Sequence, residues 1–110
     1  MEAAVREYLE RYSDEVMELF MKLRQLVFDA STLTPEEKLW AKLPSYYVGD
    51  AFVRLIPFKD HINIEAAAIV SHRDELTGYS VTPKGMLKIG VKNDLPAELL
   101  ERIFTETLTK

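Results

Sequence analysis

From Glu2 to Ala30 the chain repeats its apolar residues at helical spacing, and no other feature limits its folding choices so strongly. At about 100° per residue, Val5, Tyr8, Leu9, Tyr12, Val16, Leu19, Phe20, Leu23, Leu26 and Val27 gather into one stripe. Such a stripe leaves water only by packing on another layer, so a core must lie beneath it. The phase runs on across Ser13, yet Ser13-Asp14-Glu15 is also a good helix start, a capping hydroxyl followed by two acids at the positive end of the dipole. One helix, or two joined at Ser13, both satisfy the pattern.

The helical period stops after Ala30. Ser31 to Glu37 reads as a loop with room for one helical turn, since Thr34 can cap and Pro35 suits a first helical position. Leu39 to Val48 is rich in aromatic and branched residues (Trp40, Leu43, Tyr46, Tyr47 and Val48) that suit a pleated surface, and Pro44 marks a bend or an edge. Gly49-Asp50 turns the chain into a second strand, Ala51 to Phe58, and Lys59-Asp60 turns it into a third, His61 to Glu65. Connections this short join antiparallel neighbours. Ala66 to Leu76 reads as a short helix stopped at Gly78, Tyr79 to Gly85 as a loop, and Met86 to Val91 as a fourth strand. The closing helix is Leu95 to Leu108, with Pro96 in its first turn and Leu99, Leu100, Ile103, Phe104 and Leu108 turned inward.

The 110 residues make one domain, 1–110, and at 47% apolar content they suffice for one core. A net charge of −4 with no basic tract argues against nucleic acid and anionic membrane as partners. The chain has no cysteine, which excludes disulfides and thiolate metal sites. Its first residues carry neither the basic cap nor the apolar run of a secretion signal, so the expected location is the cytoplasm.

Five pieces occur in order: Leu39-Trp40-Ala41-Lys42-Leu43-Pro44-Ser45-Tyr46, Pro57-Phe58-Lys59-Asp60-His61-Ile62, Glu75-Leu76-Thr77-Gly78-Tyr79, Lys84-Gly85 and Leu95-Pro96-Ala97-Glu98-Leu99. Together they resemble the YdhG-like family, a bacterial family largely of unknown function, over nearly the whole chain. The resemblance implies a two-layer α+β sandwich with some likeness to frataxin: an antiparallel sheet of about four to five strands, with N-terminal and C-terminal helices on one face. It also implies a link to iron, because at least one member is regarded as an intracellular iron chaperone; weakly held iron, or a protein that accepts it, is then the expected partner. The polar Ser31-Thr32-Leu33-Thr34 and Lys92-Asn93-Asp94 depart from the family pattern, and both are loops.

Iron handling of that kind needs carboxylates, and Glu7, Glu10, Asp14 and Glu18 share one sector opposite the apolar stripe. The bland alternative is an ordinary solvated helix face, since Arg11 follows Glu7 and Lys22 follows Glu18 at ion-pair spacing. A second candidate is His61, Asn63 and Glu65, which project from one side of a strand. A metal there lacks ligands, because the other histidine, His72, belongs to a separate helix surface. Trp40 and Lys42, with Arg54 and His61, form a third candidate: a ligand or partner face on an open side of the sheet, with self-association through that face as its homodimeric form. No nucleophile elbow, phosphate loop, dinucleotide fingerprint or zinc-protease motif occurs, so the residues give no reason to expect an enzyme or a required cofactor.

Overall fold

The computed structural model describes residues 1–109. Two helices, α1 (Ala3–Leu9) and α2 (Asp14–Ala30), lead into four strands: β1 (Glu36–Trp40), β2 (Leu43–Val48), β3 (Ala51–Pro57) and β4 (His61–Ala66). A 3-10 helix (Ala67–Glu75), a two-residue strand β5 (Ser80–Val81), β6 (Leu87–Gly90) and α3 (Ala97–Leu108) complete the chain. The class is α+β, and the six strands form one antiparallel sheet in the order β1-β2-β3-β4-β6-β5.

The apolar stripe is divided at Ser13. The Ser13 hydroxyl caps α2 by accepting the Val16 N–H at 3.3 Å, and Asp14 and Glu15 occupy the first turn. Val5 and Leu9 of α1 still reach the core, alongside Val16, Leu19, Phe20, Leu23 and Val27 of α2. From α3 come Leu100, Ile103, Phe104 and Leu108. Tyr46, Val53, Leu55, Ile62, Ile64, Leu87 and Ile89 meet them from the inner side of the sheet.

Six strands exceed the four to five expected, for two reasons. The segment 39–48 is a hairpin rather than one strand: Ala41 and Lys42 take φ of 49° and 67°, the two-residue turn whose twist matches its flanking strands. Neither residue is the glycine or asparagine that usually announces such a turn. In the segment 79–85, Ser80 and Val81 pair with β6. Other boundaries also move. Pro35 precedes a strand instead of opening a helical turn, Ala67–Glu75 winds as a 3-10 helix, and Pro96 stands just before α3.

Glu37 ties the N-terminal layers to the sheet. On the inner side of β1 its carboxylate accepts the Arg24 Nε–H at 2.6 Å, the Tyr46 hydroxyl at 2.8 Å and the Glu2 backbone N–H at 2.6 Å. Burial alone pushes this carboxyl up, but those three donors outweigh it and hold Glu37 below its ordinary range. No helix among the described residues is long and apolar enough to cross a membrane.

Candidate functional site

Both terminal helices pack on one side of the sheet, so the composition of the other side decides what the domain presents. The registers place Lys38, Ser45, Arg54 and Glu65 in one row across it, with Tyr47 and Phe52 paired in the next. Trp40 is paired with Leu43 on the far side of that row. Lys38, Trp40 and Lys88 are exposed, which leaves this face open.

Arg54 is the centre of the face and is only 5% exposed. Its Nε donates to Ser45 Oγ, Nη1 to Glu65 Oε1 and Nη2 to the Tyr47 hydroxyl, each at 2.9 Å. The Ser45 hydroxyl in turn donates a hydrogen bond to the Leu43 carbonyl at 2.9 Å. The guanidinium lies between two rings, with its carbon 4.2 Å from the Trp40 centre and 4.0 Å from that of Phe52. A cation so far from water needs a countercharge and satisfied donors; Glu65 supplies the first and three oxygens the second. Arg54 is therefore occupied with its own neighbours and acts as a mount for the rings. Trp40, held from below, is 51% exposed.

Around this mount the aromatic and cationic pattern continues. Lys38 Nζ sits 4.7 Å from the Tyr47 ring centre, and the Tyr47 and Phe52 rings are 5.7 Å apart. At the end of the sheet that carries the β1–β2 turn, the exposed Phe58 ring stacks on His61 at 4.6 Å. His61 Nδ1 is 2.8 Å from Asp60, a contact that holds the Asp60 carboxyl below its ordinary range.

Of the residues expected to share this face, Trp40, Arg54 and Glu65 form one contact cluster. His61 and Asn63 are on the same face, in β4, and Lys42 belongs to the β1–β2 turn. Asn63 Oδ1 is buried with no hydrogen-bond partner among the described residues. Ser45, Tyr47 and Phe52 belong to the cluster and escape a sequence reading, because reading 39–48 as one strand hides the register that brings them to Arg54.

The acidic sector lies elsewhere. Glu7 belongs to α1 and Glu10 ends it, whereas Asp14 and Glu18 belong to α2, so the break at Ser13 separates two pairs that a single helix would align. All four are exposed. Glu18 pairs with Lys22 at 3.4 Å, and the Arg11 guanidinium lies over the Tyr8 ring at 4.7 Å. Among the described residues no group of three or more histidine, aspartate or glutamate side chains is placed to hold a metal ion. His72 is engaged between two carboxylates, with Nδ1 2.7 Å from Glu75 and Nε2 2.7 Å from Glu106. Those bonds, Glu75's first, raise its pKa, and Arg102 adds a bond to Glu75 at 3.1 Å.

No protein-family model matches this chain, and neither do the curated proteins or the solved structures with which it was compared.

Proposed function

We propose that this domain is a protein-interaction module whose contact surface is the open sheet face, with Trp40 as its anchor. The observation that carries the reading is the half-exposed Trp40 ring mounted on a buried Arg54 that is held by Ser45, Glu65 and Tyr47. Interfaces draw most of their binding energy from a few tryptophan, tyrosine and arginine side chains, and here Trp40, Arg54 and Tyr47 stand together. Because the mount is rigid, little side-chain entropy remains to be lost when a partner covers the ring. A small-molecule site on this face is less well supported, since the guanidinium that would attract an anion is already paired with Glu65.

Trp40 is the single tryptophan of the chain, so its fluorescence reports on this face alone. Light scattering is measured against protein concentration for the native chain, Trp40→Phe and Tyr47→Ala, and tryptophan emission for the native chain and Tyr47→Ala. A second copy as partner gives a dimer whose emission shifts to the blue, and Tyr47→Ala weakens it. If the native chain stays monomeric, immobilised native protein should retain a partner that the Trp40→Ala variant does not. A monomer that retains the same proteins with and without Trp40 overturns the reading.

A further inference from the structure

The opposite end of the sheet holds a cleft of about 560 Å³ that meets the open face at Phe52 and Glu65. Its floor is apolar: Phe52, Ala67 and Val70 line it, and Val70 is 55% exposed. Two features keep the cleft open and shaped. Gly85 stands at φ +87°, and a side-chain carbon there would come within 3.1 Å of Val70 Cγ1. Thr107 of α3, almost wholly buried, accepts the Ala68 N–H at 3.1 Å and so pins the 3-10 helix as a wall. Its hydroxyl proton has no acceptor among the described hydrogen bonds, which leaves a donor at the cleft for a carbonyl oxygen.

The charges at the rim are of opposite sign. Asp50, in the β2–β3 turn, and Lys84, in the loop before β6, both line the cleft, and neither has an ion-pair partner among the described residues. Glu65 also lines it but is already paired with Arg54. Asp50 lies in the turn between β2 and β3 and Lys84 in the turn between β5 and β6, with β4 in the middle, so the two backbone segments are two to three strand spacings apart, about 10–14 Å before the reach of their side chains is counted. An extended peptide of two or three residues spans about 7–10 Å.

We propose that this cleft binds a short peptide of two or three residues with free termini and an apolar side chain, its ammonium at Asp50 and its carboxylate at Lys84. The apolar side chain lies on Val70 and Ala67, and Thr107 donates to a peptide carbonyl. The site takes both charges of a zwitterion and covers the apolar part between them, which neither a plain amine nor a plain acid would satisfy. It shares Phe52 and Glu65 with the Arg54 cluster, but neither Trp40 nor Tyr47 is among its lining residues.

The test is a titration of the isotope-labelled protein with the tripeptide Ala-Leu-Ala, followed by two-dimensional NMR, beside its N-acetylated and C-amidated forms. The unmodified peptide should move the amide signals of Phe52, Ala67, Val70 and Gly85 with a Kd of about 1 mM or tighter. Each blocked form should bind at least about tenfold more weakly. Asp50→Asn and Lys84→Gln should each lose a similar factor, and Ala67→Trp, at an exposed position, should fill the cleft and abolish the shifts. No movement up to about 10 mM, equal binding of the blocked peptides, or undiminished binding by Ala67→Trp overturns the proposal. Trp40→Ala should bind the tripeptide as the native chain does, so failure at one end of the sheet is distinguishable from failure at the other.

Discussion

The guanidinium carbon of Arg54 lies 4.2 Å from the centre of the Trp40 ring, and this contact turns an exposed aromatic on an edge strand into a fixed feature of the surface. A lysine at position 54 would keep the charge but lose the planar fork that reaches Ser45, Tyr47 and Glu65 together. Arg54→Lys should therefore cost about 1–3 kcal/mol in urea unfolding and lower the fluorescence anisotropy of Trp40. Unchanged anisotropy would show that the ring does not depend on Arg54.

The β1–β2 turn is built from residues ill suited to it. Ala41 and Lys42 both hold positive φ, and a side-chain carbon makes that conformation costly. Replacing the pair with Asn-Gly should raise stability by about 1 kcal/mol without changing the open face. Thermal unfolding checks this, and a destabilised double variant would mean that Lys42 makes a contact worth more than the backbone strain.

Leu23 sits at the centre of α2 with no exposed surface. Leu23→Ala should cost about 2–5 kcal/mol, the usual range for truncation of a packed core residue. A loss below about 0.5 kcal/mol would place Leu23 among surface positions.

Stability should fall on both sides of a plateau in pH. Glu37 has a lowered pKa, so its contribution is complete above the ordinary 4.5 and is lost as pH falls through the folded-state value. Glu75, held down first by His72 and then by Arg102, adds to the same acid limb. The pKa of His72 is raised, so its contribution is complete below the ordinary 6.5 and is lost as pH rises through the folded-state value. Denaturant midpoints measured across pH should therefore be highest between 4.5 and 6.5 as far as these groups are concerned. His72→Gln should flatten the neutral limb, and a decline unchanged in that variant would remove His72 as its cause.

Which parts of this architecture are legible in the sequence follows from the range of the forces involved. The helical stripe, the capping group at Ser13, the turns at Gly49-Asp50 and Lys59-Asp60 and the amphipathic closing helix depend on residues a few positions apart, and reading the chain locally finds them. The α+β class follows from that ordering. Ser13 shows the limit: a cap and an unbroken stripe are both local signals, and only the tertiary structure shows the break, with α1 set against β1 and its Val5 and Leu9 buried in the core. The hairpin at Ala41-Lys42 was hidden because cross-strand pairing imposes positive φ on residues that do not prefer it.

Trp40 and Arg54 could be named from composition and strand position. Their meeting with Ser45, Tyr47, Phe52 and Glu65 required three strand registers to hold at once. The cleft draws on the β2–β3 turn, β4, the 3-10 helix, the loop before β6 and α3, so no stretch of sequence contains it. Hydrophobic period and capping act over a turn or two of chain, so the elements and the faces they must bury are written in the order of the residues. Tertiary structure alone decided which polar groups share a site, because that depends on pairings between segments whose closure only the finished core stabilises.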